Sequence, residues 1–318
     1  MQRTALRRIL RGALCAALPL ALAATQHGCI FGSSSNCGSQ TAQGNVSLSQ
    51  LADGGVLSPA DKCAQACELV APVAINTIDS CVLSAGDGGE STVFVDCKFQ
   101  VQCVGGRAPA GLARVEMTSH GAVGEHLARM AHLEAASVIA FARLDKELDN
   151  LGAPASLRLA ARRAIADERR HARVMATLAW KHGAAVPPVE VSAPQPRKLV
   201  DMAIENAVEG CVRETWGALV AGWQAARAED DGVRAAMRAI ERDETRHAEL
   251  AWEVARFADA RLDDDERIRV TSARAIAVEE LRASLSHEQP REVTTALGLP
   301  TPSDAARLHA HLAATLWV

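Results

Sequence analysis

Two nearly identical charged hexamers lie 76 positions apart in the chain, and each contains residue types that bind metal ions. The first, DERRHA, begins at Asp167, and the second, DETRHA, begins at Asp243. In each hexamer the glutamate and the histidine are three positions apart, which places both side chains on one face of a helix. Carboxylates and imidazoles are donors suited to iron and manganese. The repeat therefore predicts two half-sites of a metal centre.

Two further glutamates interrupt apolar helical stripes upstream of the hexamers. Glu134 precedes Glu168 by 34 residues, and Glu209 precedes Glu244 by 35 residues. A buried carboxylate is costly unless it is protonated, paired or bound to a metal. The matched distances indicate one helical hairpin used twice, with two ions bound between the copies. The predicted ligands are Glu134, Glu168, His171, Glu209, Glu244 and His247.

The hexamers also contain residues that would support the two histidines. A metal-bound histidine usually donates its second ring N–H to a carboxylate, which fixes the tautomer. We expect Asp167 and Asp243 to accept these hydrogen bonds, each from the histidine of the opposite hairpin. Arg170 and Arg246 lie three residues further along and are predicted to hold the aspartates by ion pairs.

A single E-x-x-H in a charged helix more often belongs to a solvated face than to a metal site. The metal prediction therefore depends on the duplication.

Three nearby residues receive other interpretations. Glu205 lies one turn before Glu209 and is predicted to be either an additional ligand or a carboxylate at the rim. Glu214 lies about 140° around a regular α-helix from Glu209, which predicts a surface or ion-pairing residue. Cys211 is predicted to be a small buried apolar residue.

Helical periodicity and the positions of Gly and Pro predict four long helices. The second link, 183–198, has sixteen residues and can extend to about 50 Å, more than the roughly 42 Å of a 28-residue helix. Two hairpins joined by one long crossover therefore form the predicted topology. The predicted helices are 123–150, 155–182, 199–228 and 233–260, followed by accessory helices at 263–285 and 303–317.

Residues 120–260 resemble the ferritin-like di-iron carboxylate superfamily, which includes rubrerythrins, bacterioferritins and bacterial multicomponent monooxygenases. The resemblance rests on the two D-E-x-R-H sequences and the six predicted ligands. It implies a mainly α fold with a ferritin-like four-helix bundle, and two bound iron ions, with manganese as the alternative cofactor. It also implies reaction with dioxygen or peroxide, as a ferroxidase or peroxide reductase that uses an unknown electron donor. The alternative hypothesis is a non-enzymatic metal-binding or structural surface lipoprotein.

The chain departs from these relatives in two respects. It has no cysteine spacing typical of the four-cysteine iron domain of rubrerythrins, and it contains no tyrosine. The tyrosine that rubrerythrins carry seven residues after the bundle glutamate is replaced by Phe141 or Trp216. A phenol at the metal centre is therefore excluded.

The first 28 residues have the pattern of an export signal. A basic start precedes an apolar run at 13–24 that is too short to span a bilayer. Two processing routes fit, cleavage near Ala23 or Ala24 and lipid attachment at Cys29. Both predict a periplasmic or cell-surface location, with membrane attachment in the second case. Nucleic-acid partners are disfavoured because the net charge is −4 and charges of both signs are interspersed.

Six cysteines lie between positions 37 and 103, and in an exported chain they predict three disulfides. Their pairing stays open, since six cysteines allow 15 combinations. An alternating run near residues 91–103 predicts a strand or two in this region. The predicted organisation is a signal at 1–28, a flexible tether at 29–60, a disulfide-stapled module at 61–104, the bundle at 118–260 and accessory helices at 261–318.

Overall fold

The computed structural model describes residues 3–16, 38–47, 51, 59–70, 77–85, 92–101, 107–113, 115, 117, 119–193, 196–286 and 289–317. This part of the chain is mainly helical and contains one small sheet. The strands are β1 (Gly38–Ser47), β2 (Thr77–Ala85) and β3 (Thr92–Val101). The α-helices are α1 (Arg3–Ala16), α2 (Pro59–Val70), α3 (Ala122–Asn150), α4 (Ala155–Lys181), α5 (Leu199–Glu205), α6 (Thr215–Arg227), α7 (Asp231–Asp259), α8 (Asp264–Ser284), α9 (Arg291–Leu297) and α10 (Pro302–Thr315), and a π-helical segment, Asn206–Glu214, joins α5 to α6.

The chain divides into two compact units. The small unit consists of Ser33–Cys103 and Ala283–Glu288. The large unit consists of Met1–Gly32, Val104–Arg282 and Gln289–Val318.

The small unit contains the sheet and α2. β3 is the central strand and pairs antiparallel with β1 and β2. Cys63 and Cys67 are one turn apart on α2, so their sulfurs leave the helix on the same face. Cys63 is bridged to Cys81 on β2, and Cys67 is bridged to Cys97 on β3. These disulfides fix the helix on the sheet and indicate an oxidising location.

The sequence predictions for this region are partly confirmed. Two of the three expected disulfides are present, whereas Cys37 and Cys103 lie outside the described residues. The prediction of a flexible tether at 29–60 is wrong for Gly38–Ser47, because these residues form β1 and pair with β3 along its whole length. β1 is an edge strand, and its backbone hydrogen bonds do not require the apolar alternation that its Ser, Gln and Thr side chains lack.

In the large unit, α3 and α4 form one hairpin, and the π-helical segment with α6 packs against α7. α4 also contacts α7, which brings the two hairpins together. The long link before α5 forms isolated bridges from Val191 to Leu112 and from Ala184 to Ser119, so it runs antiparallel to the segment that precedes α3. All six predicted helical segments agree with the structure to within two residues at each end. α9 was not predicted, because seven residues are too few to establish a period.

The buried apolar residues of α3, α4 and α7 form two separate clusters. One contains Leu127 of α3 and Met175 of α4, and the other contains Phe141 of α3 and Leu157 of α4. The polar positions lie between them on every helix, as Glu134 does on α3. The fold therefore holds a polar layer between two apolar layers.

α1 belongs to the large unit and contacts α6, α7 and α10. Its Leu6 and Leu10 are buried, and Arg7 Nε donates a hydrogen bond of 2.6 Å to Glu249 Oε1. The cleavage positions and Cys29 lie outside the described residues, so the export signal and the lipid anchor stay predictions. Among the described helices, none combines the length and apolar character needed to cross a bilayer.

Candidate metal centre

Six buried side chains from α3, α4, the π-helical segment and α7 converge between the two apolar layers. One group is Glu134, Glu168, His171 and Glu244, in which one donor atom of each residue lies within 4.8 Å of the others. A second group with the same spacing is Glu168, Glu214, Glu244 and His247. Because Glu168 and Glu244 belong to both groups, the six residues form one continuous cluster.

The two histidines occupy equivalent positions in the two halves of the cluster. His171 Nδ1 lies 3.4 Å from Glu134 Oε2 and 3.2 Å from Glu244 Oε1. His247 Nδ1 lies 3.0 Å from Glu168 Oε1 and 3.4 Å from Glu244 Oε1. Both histidines thus direct Nδ1 towards the carboxylates.

The donor atoms of this cluster are buried and have no hydrogen-bond partners in the part of the chain that the structure describes. Buried polar side-chain atoms are normally hydrogen-bonded, and each exception requires an explanation such as a bound ion. Convergence of several exceptions on one place is the feature expected of preformed metal ligands. The atoms are Glu134 Oε2, both oxygens of Glu168, His171 Nδ1, both oxygens of Glu214, Glu244 Oε1 and His247 Nδ1.

The opposite nitrogens of the histidines face aspartates of the other hairpin. His171 Nε2 lies 3.2 Å from Asp243 Oδ2, and His247 Nε2 lies 3.6 Å from Asp167 Oδ2. A carboxylate at this position orients the imidazole and keeps Nδ1 available as a donor to a metal. The predicted crossing, in which each histidine meets the aspartate of the opposite hexamer, is the arrangement in the structure.

Two arginines hold these aspartates from the outside. Arg170 Nη2 donates to Asp167 Oδ1 at 2.8 Å and also to Asp243. Arg246 Nη2 donates to Asp167 Oδ2 at 2.9 Å and also to Asp243. Both arginines therefore bridge the two hairpins. Their charges help to keep the pKa of both aspartates below the usual range, although burial acts in the opposite direction.

The crossed contacts lead to a testable prediction. We expect Asp243→Asn to lower metal affinity by roughly tenfold to a hundredfold, because His171 loses a charged partner. A competition titration with a chromophoric chelator measures the change. Asp259→Asn, at an exposed position on the same helix, is the control and should leave the affinity unchanged. Equal affinities of the two variants would contradict the supporting role of Asp243.

Glu214 is the residue that sequence reasoning missed. The prediction of a surface position is wrong, since Glu214 is 1 % exposed and its Oε2 lies 3.7 Å from His247 Nδ1. The 140° separation from Glu209 assumed a regular α-helix, whereas these residues lie in a π-helix with i→i+5 hydrogen bonds. Residues five apart are near neighbours on that wider turn, so both glutamates can be buried. The π-helical turn is visible only in the structure, so helical angles read from the sequence gave no signal for Glu214.

Glu209 belongs to neither donor group. Arg213 Nη1 donates to its Oε1 at 2.6 Å, and the backbone N–H of Ala108 donates to its Oε2 at 3.2 Å. Burial raises the pKa of Glu209, while the Arg213 charge opposes the shift. Its neighbour Glu205 also belongs to neither group and pairs with Arg107 and Arg197. The rim alternative is thus the one that fits Glu205.

The π-helical segment packs closely on α7 through a glycine. A Cβ atom added to Gly210 would lie 2.6 Å from the Cβ of Ala251 and 2.9 Å from Asn206 Oδ1. Asn206 Nδ2 donates to the backbone oxygen of Ala251 at 2.9 Å, and Arg107 Nη1 donates to Asn206 Oδ1 at 3.1 Å. The small residue permits the contact that holds this segment beside α7.

We expect Gly210→Ala to lower the free energy of unfolding by about 1–3 kcal/mol, because the added methyl group overlaps Ala251. Chemical denaturation measures the change. Gly217→Ala is the matched control, since its nearest contact would be an ordinary 4.0 Å to Glu244 Oε2. That variant should be neutral or stabilised by up to about 1 kcal/mol. Equal stabilities would contradict the close packing.

The cluster strongly perturbs its own proton affinities. Burial lowers the pKa of His171, but the close carboxylates of Glu134 and Glu244 outweigh it and raise the pKa to about 11. The same balance raises the pKa of His247 well above its usual value. Burial and neighbouring carboxylates raise the pKa of Glu168 and bring that of Glu214 to about 8. Burial opposes ionisation of Glu244, but contacts with the two histidines lower its pKa to about 2. Protons therefore balance the carboxylate charge when no cation does so.

Comparison of the chain with protein-family models, curated proteins and solved structures found no match.

Proposed function

We propose that the large unit is a ferritin-like four-helix bundle that binds two metal ions and reacts with dioxygen or peroxide, as a ferroxidase or a peroxide reductase. The observation that carries this proposal is the set of buried donor atoms without hydrogen-bond partners. A structural network of buried polar groups normally satisfies their hydrogen bonds, whereas the oxygens and nitrogens of this cluster face each other without satisfied hydrogen bonds.

The charge of the cluster suits a pair of divalent cations. Four ionised glutamates carry −4, and two neutral histidines add donors without charge, so two divalent cations balance the site. Glu134 and His171 would hold one ion, and Glu214 and His247 would hold the other. Glu168 and Glu244 would be shared. Carboxylate and imidazole donors suit iron, which we propose, and also manganese.

The chain's own residues prepare the site in three ways. The crossed aspartates fix the histidine rings, and the apolar layers on both sides limit access of water. Phe141, whose ring centre is 5.0 Å from that of His247, places hydrocarbon where the resemblance would place a tyrosine. Bound iron ions would supply the electrons for reduction of dioxygen or peroxide. An external electron donor would then be needed for repeated turnover.

The disulfides of the small unit indicate an oxidising location. We propose that residues 1–28 direct export, with either lipid attachment at Cys29 or cleavage near Ala23 or Ala24. The donor for turnover would then be a periplasmic or cell-surface component. The alternative is a metal-binding lipoprotein in which the ions only rigidify the helices.

The experiment that tests the proposed function combines metal analysis with a reaction. Protein loaded anaerobically with Fe(II) is mixed with dioxygen or with peroxide, and oxidation to Fe(III) is followed by absorbance. We expect oxidation of two equivalents per chain much faster than in buffer, and no acceleration by Glu168→Gln. If the purified protein contains a redox-inert metal, or if Fe(II) is oxidised no faster than in buffer, the result would favour the structural alternative.

A further inference from the structure

The outward face of α4 is basic and lacks acidic residues. At about 100° per residue, positions within about 80° of Leu159 share one side of the helix. Both acidic residues of α4, Asp167 and Glu168, are buried. The basic residues of this face are Arg162, Arg163, Arg169, Arg170, Arg173 and Lys181.

Several of these cations have no carboxylate partner among the described residues. Arg162 pairs with Asp145 at 2.9 Å, and Arg170 pairs with Asp167 and Asp243. The described part of the chain contains no recorded ion pair to Arg163, Arg169, Arg173 or Lys181, and Arg173 Nε donates only to a backbone carbonyl. These four uncompensated cations lie along one side of a single helix.

Large apolar side chains lie on the same face. Leu159 is 70 % exposed and Trp180 is 76 % exposed, and Val174 between them is also exposed. Leu159 and Trp180 are 21 positions apart, or about 32 Å along the helix axis. An exposed tryptophan is suited to the boundary between lipid headgroups and acyl chains, and arginines are suited to anionic headgroups.

We propose that this face of α4 docks on an anionic phospholipid surface. Arg163, Arg169, Arg173 and Lys181 contact the headgroups, and Leu159 and Trp180 enter the interface at the two ends of the helix. Charge complementarity alone would also suit an acidic protein or a nucleic acid. The exposed Leu159 and Trp180 favour lipid over the other two partners. Neither side chain adds an attraction to phosphate or carboxylate groups, whereas both can enter the interface of a lipid bilayer.

Sedimentation with vesicles tests the proposal. The full chain carries Cys29→Ser so that no lipid can be attached there, and the vesicles contain phosphatidylglycerol with phosphatidylcholine, or phosphatidylcholine alone. We expect binding to the anionic vesicles only, weakened by raising the salt concentration. The triple variant Arg163→Gln, Arg169→Gln, Arg173→Gln should weaken binding by about tenfold or more.

The control removes the same charge elsewhere. Arg269→Gln, Arg282→Gln and Arg307→Gln alter exposed positions on α8 and α10 and should leave vesicle binding unchanged. Metal content and helicity are measured on every sample, so a failure of docking is distinguished from a failure of the metal centre. Absence of binding to anionic vesicles overturns the proposal. Equal binding by the triple variant and the parent also overturns it and would assign the binding to another segment, such as the basic α1.

Discussion

Replacing Glu168 with Gln is expected to abolish binding of both metal ions. Glu168 belongs to both donor groups and is fully buried. The amide keeps the shape of the side chain but removes one of four negative charges and its capacity to bridge two cations. Metal analysis after dialysis should fall from two ions per chain to nearly none. Circular dichroism should show that the helices persist.

The comparison of Glu214→Gln with Glu209→Gln distinguishes two ligand sets. The structure indicates a set that includes Glu214, whereas the spacing in the sequence predicts a set that includes Glu209. Glu214 lies in one donor group only, so Glu214→Gln should lose one of the two ions. Glu209 has both oxygens hydrogen-bonded to Arg213 and Ala108, so Glu209→Gln should retain both ions. Loss of an ion from the Glu209 variant together with retention by the Glu214 variant would contradict the structure.

The second large effect is the dependence of metal affinity on pH. In the absence of metal, the pKa values of His171 (about 11) and Glu214 (about 8) mean that both groups hold protons near pH 7, and the pKa values of His247 and Glu168 are raised as well. Metal must displace those protons, so affinity falls as pH falls below the raised pKa values. Because more than one proton is displaced per ion, we expect the affinity for each ion to drop by about tenfold or more per pH unit between pH 7 and 6.

Calorimetric titration in buffers of different ionisation enthalpy measures the displaced protons directly. The number of protons released should exceed one per ion near pH 7. Glu214→Gln, which should bind only one ion, is expected to release fewer protons per chain than the parent. Metal binding without proton release would contradict the picture of a buried cluster balanced by protons.

The helical segments could be predicted because their signals are local. Apolar residues recur at helical spacing, and Gly152 and Gly183, at the ends of α3 and α4, adopt positive φ as their position after each helix requires. The crossed aspartates were also predictable, because the two hexamers are related by the duplication and metal-bound histidines need carboxylate partners.

Glu214 could not be predicted by the same reasoning. The matched spacings of 34 and 35 residues favoured Glu209, and helical angles excluded Glu214 because they assumed regular α-helix. The π-helical turn depends on tertiary contacts, namely the approach of Gly210 to Ala251 and the hydrogen bond from Asn206 to that backbone. The pairing of Gly38–Ser47 with β3 is likewise non-local, so composition gave no indication of it.

Anomalous scattering from crystals of metal-loaded protein, recorded at the iron and manganese absorption edges, tests the central claim most directly. We expect two peaks per chain, both touching Glu168 and Glu244, one beside Glu134 and His171 and the other beside Glu214 and His247. Absence of both peaks, or a metal held at Glu209 in place of Glu214, would contradict it.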